Sequence, residues 1–140
     1  MSSLIQAART LPEANPNGVG VFGHSRGGGA ALNYVLHMGD TQAVALNSSS
    51  YRSLPIDMVP KLKAPVLILQ GTDDSPDDGG GATTDIEMAH NFGMVLQEAG
   101  KEVEAVYYEG GRHNSIFTSA TQRDDEIQKM RAFFLRHLRL

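Results

Sequence analysis

Val19-Gly20-Val21-Phe22-Gly23-His24-Ser25-Arg26-Gly27-Gly28-Gly29-Ala30-Ala31-Leu32 is the stretch on which the fold turns. It opens with a short apolar run, Val19 to Phe22, of the length and composition of a buried strand. It then crosses a glycine-rich turn, Gly23 to Gly29. From Ala30 to Met38, the residues Ala31, Leu32, Val35 and Leu36 keep a helical spacing, and Gly39 stops the helix. Strand, tight turn and helix form the unit from which parallel α/β sheets are built.

The same grammar extends in both directions. Upstream, Leu4, Ile5, Ala8 and Leu11 predict a helix over 2–11, ended by Pro12, Pro16 and Asn17-Gly18. Downstream, Ala43-Val44-Ala45-Leu46 predicts a second strand, closed by the polar run Asn47 to Ser50. Residues 51–63 hold Pro55 and Pro60 and read as a loop with one helical turn. Val66-Leu67-Ile68-Leu69 predicts a third strand, announced by Pro65 and ended by Gly71. An acidic, glycine-rich loop follows from Asp73 to Thr84. Ile86, Ala89, Phe92, Leu96 and Ala99 give one apolar face to a helix over 85–99, before Gly100. Val103 to Tyr108 is the fourth strand, and Ile127, Met130, Phe134 and Leu138 set a last helix over 124–138. The strands are continuous apolar runs alternating with helices. That pattern predicts an α/β fold in three layers, with a mostly parallel sheet of about four strands covered on both faces.

Composition narrows the function classes. The 140 residues form one domain, 1–140, long enough to bury a core. Twelve Lys and Arg against sixteen Asp and Glu give a net charge of −4, which argues against a nucleic-acid binder. Cysteine is absent, which excludes disulfides, thiolate catalysis and zinc-thiolate sites and fits a cytoplasmic protein. No apolar run approaches the roughly 18 residues of a membrane span, and no signal peptide is evident, so no membrane partner is expected.

Gly23-His24-Ser25-Arg26-Gly27 reads G-x-S-x-G. Alone, the pattern describes any glycine-rich turn that contains a serine. Its place between a strand and a helix makes it a nucleophile turn. Such a turn strains the serine backbone, so Gly23 and Gly27 are expected to lack side chains for steric reasons. The helix N-terminus behind Ser25 would stabilise developing negative charge, the Arg26 N–H serving as oxyanion donor. A serine needs a base, and the base an orienting acid. Sites on parallel sheets lie at the C-terminal ends of the strands. Of the five histidines, His37, His90 and His137 fall within predicted helices. His24 adjoins the nucleophile and should point away from it, which leaves His113 as the base. The acid stays open among Asp73, Asp74, Asp77 and Asp78, with Glu109 a distant alternative. The acidic loop lacks the alternation and distal Glu of a calcium loop, so no metal is expected there.

These motifs resemble the C-terminal half of an α/β-hydrolase, closest to the dienelactone-hydrolase and prolyl-oligopeptidase-like branches. Gly23 to Gly28 resembles their nucleophile elbow. Ala64-Pro65-Val66-Leu67-Ile68-Leu69-Gln70-Gly71-Thr72-Asp73-Asp74 resembles the strand that delivers the acid, in a G-x-x-D register that picks Asp74 over Asp73. Tyr107 to His113 resembles the strand and loop that deliver the histidine, and Met130 to Leu138 the terminal helix. The order Ser25, Asp74, His113 is the family's order. The chain departs from the family in Ser75-Pro76, which follows the acid at once, and in a longer loop from Asp77 to Thr84. A serine stands where dienelactone hydrolases usually carry cysteine, which implies ester chemistry.

The resemblance implies a serine hydrolase of small carboxylic esters, working through Ser25, His113 and Asp74 with an acyl-enzyme intermediate and no cofactor. The four strands match strands 5 to 8 of an eight-stranded fold. The missing half would supply a second oxyanion donor, whose loss costs on the order of 10²–10³ in rate. It would also leave the strand at Val19 to Phe22 as an open apolar edge. That edge is expected to pair with a second copy of the chain, giving a homo-oligomer. Two other readings are a fragment whose other half arrives separately and a non-catalytic half-domain that serves assembly or binding. For Asn47 to Ser50 and for Arg112, lining the site and plain exposure are equal expectations.

Overall fold

The apolar runs form the centre of the molecule, in a computed structural model that describes residues 2–52, 56–78 and 80–138. Strands β1 (Gly20–His24), β2 (Ala43–Asn47), β3 (Val66–Gly71) and β4 (Val103–Tyr108) pair in parallel, in the order β1-β2-β3-β4. The register runs from Gly20 opposite Ala43 to His24 opposite Asn47. Every residue of β2 and β3 is buried, which explains their unbroken hydrophobicity: both faces of the sheet are covered.

Alternate residues of each strand serve two separate cores. On one face, Val44, Leu46, Val66 and Ile68 pack against two helices. These are α2 (Arg26–Met38), through Ala31, Leu32 and Val35, and α3 (Ile86–Glu98), through Ala89, Phe92 and Leu96. Helix α1 (Ser2–Ala8) adds Ile5 to this layer. On the other face, Ala43, Ala45, Leu67 and Leu69 meet Phe133 of α5 (Ala120–His137), which is fully buried. Small alanines in β2 leave room for that large ring. Each buried Val, Leu, Ile or Phe of the two cores contributes roughly 1.5–3 kcal/mol. The result is three layers, α/β/α, as the continuous strands predict.

Element boundaries differ from the sequence reading in ways that have local causes. Helix α1 stops at Ala8 rather than Leu11, because Thr10 and Leu11 donate to the carbonyls of Ala7 and Ala8 in tighter turns ahead of Pro12. Helix α2 starts at Arg26, so Gly27 to Gly29 belong to its first turn instead of to a loop. Helix α5 starts at Ala120, where the Ser119 hydroxyl accepts from the Gln122 N–H as an N-cap. A short helix α4 (Ser115–Thr118) precedes it, where no element was expected. The helical turn expected within 51–63 is a 3-10 segment, Ile56–Lys61; Pro55 lies outside the described residues. A second 3-10 segment, Pro76–Asp78, interrupts the acidic loop. Among the described residues, no helix is long and apolar enough to cross a membrane.

Candidate active site

All the chemistry-bearing loops leave the C-terminal ends of the strands. Ser25 sits between the last residue of β1 and the first of α2, with φ 55° and ψ −125°. That region is costly for any residue with a Cβ, by about 1–3 kcal/mol, and it persists because surrounding contacts over-determine it. The Ser25 N–H donates to the Asn47 carbonyl at 3.0 Å, and the Ser25 carbonyl accepts from the N–H groups of Gly28 and Ser50 at 3.0 and 2.9 Å. The turn is therefore tied to the end of β2 as well as to its own helix.

The glycines of the motif divide unequally. A Cβ on Gly23 would run into the backbone of Gly27 and Gly28, and one on Gly28 would strike the Ser49 side chain. A Cβ on Gly27 would meet nothing within 4 Å. The expectation that Gly27 must lack a side chain is corrected on this point: the close approaches fall at Gly23, Gly28 and Gly29, where strand, helix and the β2 loop converge.

His113 is delivered by the loop after β4. Its Nε2 lies 2.9 Å from Ser25 Oγ, and its Nδ1 lies 3.1 Å from both carboxylate oxygens of Asp74. A carboxylate only accepts, so Nδ1 carries the proton and Nε2 is free to accept from the serine hydroxyl. Two loops must meet for this to happen, and the backbone shows how. The Asp73 N–H donates to the Gly111 carbonyl at 2.9 Å, and the Thr72 N–H to the Tyr108 carbonyl at 2.9 Å. The Gly110 N–H donates to the Thr72 hydroxyl at 2.8 Å. A Cβ on Gly71 would collide with the backbone of Gly111, so this glycine is what permits the approach.

Asp74 is fully buried and fully partnered. Gln70 Nε2 donates to Oδ2 at 2.8 Å, and the Thr84 hydroxyl donates to Oδ1 at 3.1 Å. Of the other carboxylates considered, Asp73 meets the Thr72 hydroxyl at 3.5 Å, and Asp77 and Glu109 are exposed. The carboxylate placed on the histidine is thus Asp74. Gln70 and Thr84 escaped the sequence reading. Gln70 could have been suspected, because a lone polar residue in an apolar strand needs a buried partner.

The Arg26 N–H, directly after Ser25 in the chain, heads α2, where a helix leaves its first amides without intrahelical acceptors. It is the one oxyanion donor that the sequence reading named. Asn47, Ser48 and Ser49 are buried beneath the turn rather than lining an open site. Arg112 is exposed, and its N–H donates to Ser115 Oγ at 2.8 Å. The His24 ring bonds Asn47 Oδ1 at 2.7 Å instead of engaging Ser25. A groove of about 660 Å³ runs between α3 and β4 past His90 and Tyr107, and none of its lining residues belongs to this cluster. Among the described residues, no group of three His, Asp or Glu side chains is placed to hold a metal ion. Burial pushes the Tyr51 phenol well above its ordinary pKa, with Tyr107 and Asp74 adding to the effect.

Comparison with known proteins places the chain in a family. The sequence model of the dienelactone hydrolase family matches residues 1–134. No curated protein sequence matches the chain. Among solved structures, the chain is similar to an acylaminoacyl peptidase of Pyrococcus horikoshii, with a TM-score of 0.81 at 17% identity. That match covers 96% of this chain and 26% of the peptidase. It is similar to a puromycin-hydrolyzing peptidase of Mycobacterium tuberculosis, with a TM-score of 0.83 at 17% identity, over 98% of this chain and 24% of the other. It is also similar to a dienelactone hydrolase of Anabaena variabilis, with a TM-score of 0.72 at 26% identity, over 98% of this chain and 59% of that one. The chain therefore spans about a quarter of the length of the peptidases and somewhat over half that of the dienelactone hydrolase.

Proposed function

The chain belongs to the dienelactone hydrolase family, and from that premise we propose that it is a serine hydrolase of small carboxylic esters. The observation that carries the reading is the single file Ser25 Oγ, His113 Nε2, His113 Nδ1 and Asp74, with spacings of 2.9 and 3.1 Å. His113 takes the Ser25 proton as Oγ attacks the acyl carbon, and then hands it to the leaving alcohol. Asp74 keeps the proton on Nδ1 and stabilises the imidazolium that forms. The Arg26 N–H holds the developing oxyanion. Water, activated by the same imidazole, releases the acid from Ser25. Ser25 is half-buried at the strand ends, and an open site of this kind favours small or flexible acyl groups.

A fluorophosphonate probe and a chromogenic acetate ester test this. Labelling at Ser25, with ester turnover lost in Ser25→Ala, is the expected result. Turnover that survives Ser25→Ala refutes it. An unlabelled, folded chain points instead to the half-domain reading, an assembly or binding module.

We further propose that residues 1–140 act as one unit whose β1 edge pairs with a second copy. Strand β1 ends the sheet, and Phe22 on it is 43% exposed, with no charged side chain between Val19 and Phe22 to deter pairing.

A further inference from the structure

A buried polar chain runs beneath the nucleophile turn, and the acyl-transfer mechanism above makes no use of it. It begins at Glu126 on α5, which is fully buried. Gln122 Nε2 donates to Glu126 Oε1 at 2.8 Å, and Asn47 Nδ2 donates to Oε2 at 3.0 Å. With its amide nitrogen committed to the carboxylate, Asn47 presents Oδ1 to His24, and that oxygen stands 2.7 Å from His24 Nδ1. An amide oxygen only accepts, so His24 Nδ1 carries a proton. The His24 ring also packs on two others. Its centroid is 5.0 Å from that of His113, tilted by 41°, and 5.0 Å from that of Phe117, edge to face. The same Asn47 accepts the Ser25 N–H on its backbone carbonyl at 3.0 Å. One residue thus ties together the nucleophile's backbone, the His24 ring and the buried carboxylate.

A buried ionisable side chain is expensive unless its hydrogen bonds are complete. Glu126 has both oxygens satisfied, and its partner Asn47 lies 79 residues away in sequence. Its removal by an apolar side chain would leave the Asn47 amide free to turn over, presenting Nδ2 to His24 and demanding the opposite tautomer. The arrangement therefore defines not only where the His24 ring sits but which of its nitrogens is protonated and which way its plane faces.

We propose that His24 is a positioning residue for His113, its ring fixed in plane and tautomer by the Glu126–Asn47–His24 hydrogen-bond chain so that it walls the imidazole between Ser25 and Asp74. The inference deepens the serine-hydrolase reading and rests on it for the role of His113. A wall that is merely apolar would be served equally by phenylalanine. A wall pinned by its hydrogen bond would not.

The test pairs a spectroscopic readout with a kinetic one. In the folded chain at neutral pH, nitrogen-15 NMR of the histidine rings is expected to show a proton on His24 Nδ1. Loss of that proton from Nδ1, with the ring protonated on Nε2 alone, overturns the proposal whatever the activity. His24→Phe keeps a ring against His113 and Phe117 but lacks the bond to Asn47. It is expected to slow fluorophosphonate labelling of Ser25 and ester kcat by about ten- to a hundredfold, the scale of a misplaced catalytic group, with KM within about twofold. Labelling by His24→Phe at the wild-type rate, or a loss confined to KM, overturns it. If the wild-type serine is not labelled at all, the serine-hydrolase reading fails, and the NMR tautomer still judges the hydrogen-bond chain by itself. Melting curves of both proteins separate misfolding from misplacement. Should His24→Phe prove unfolded, Asn47→Ser replaces it in the labelling assay with the same expected and overturning results.

Discussion

Replacing Asp74 by Asn puts the proposed mechanism under its sharpest strain, because it alters one atom in a fully enclosed site. The carboxylate accepts from three donors: His113 Nδ1, Gln70 Nε2 and the Thr84 hydroxyl. An amide in its place has one oxygen and one NH₂. The oxygen belongs opposite Gln70 Nε2, which has no lone pair to offer. The NH₂ then takes the Oδ1 position, where the Thr84 hydroxyl can rotate toward the Gly81 carbonyl, 3.2 Å away. From there the amide donates to His113 Nδ1 and drives the ring into its Nε2–H form. A protonated Nε2 facing Ser25 Oγ, 2.9 Å away, cannot take the serine proton. Wrong-tautomer substitutions of this kind cost about 10⁴ in kcat, or about 5.5 kcal/mol of barrier. The assay is kcat on a chromogenic acetate ester for Asp74→Asn and Asp73→Asn, with melting temperatures alongside. Asp73→Asn, whose carboxylate meets only a weak Thr72 contact, should stay within a few-fold of wild type. A folded Asp74→Asn that retains more than a tenth of wild-type kcat, or a larger loss in Asp73→Asn, refutes the reasoning.

Three other expectations follow from the same geometry. Ser25 holds a positive φ of 55°, so Ser25→Gly should melt a few degrees above Ser25→Ala: relief of about 1–3 kcal/mol of strain outweighs glycine's extra unfolded-state entropy of about 0.5–1 kcal/mol; equal or inverted melting temperatures would count against strain at this turn. Burial raises the Glu126 carboxyl above its ordinary value of 4.5, hydrogen bonds from Gln122 and Asn47 pull it partly back, and Asp125 pushes it up again. The folded state therefore holds this proton more tightly than the unfolded state, and the stability so contributed is full below pH 4.5 and lost as pH rises through the folded value. Glu126→Gln cannot ionise, so its melting temperature should gain on the wild type between pH 4.5 and neutrality; a difference that is flat with pH would remove the linkage. Pairing of two β1 edges predicts a dimer in size-exclusion chromatography at micromolar concentration, dispersed by Phe22→Lys, and a strictly monomeric wild-type chain sinks that proposal.

Much of the architecture was legible from neighbouring residues alone. Val66 to Leu69 announces a strand buried on both faces because no polar side chain interrupts it, and β3 is indeed buried at every position. The apolar face of 85–99 appears in α3 because its spacing matches the helical repeat. Ends were less legible. Glycines at 27–29 read as a loop because each is a poor helix former, yet they form the first turn of α2. There the packing of Gly28 against Ser49 outweighs propensity. Ser119 as an N-cap and the short α4 were overlooked because one capping residue and four helical residues are too short to show a repeat.

The sequence by itself determined the parallel α/β order, the turn that carries Ser25, and His113 as the base once His24, beside the nucleophile, is set aside. These depend on periodicity and on residues adjacent along the chain, where the physics is local. The family register already picked Asp74 over Asp73, but only the tertiary structure shows the Asp74 carboxylate meeting the histidine, 3.1 Å from Nδ1. The tertiary structure also decided that Gly28, Gly29 and Gly71 are under steric demand along with Gly23, and that Gln70 and Thr84 bond Asp74 while Asn47 bonds Glu126. Such contacts join residues as far apart as 39 positions for Asp74 and His113 and 79 for Asn47 and Glu126. No local pattern records them, because they exist only once parallel pairing has brought the strand ends to one edge of the sheet.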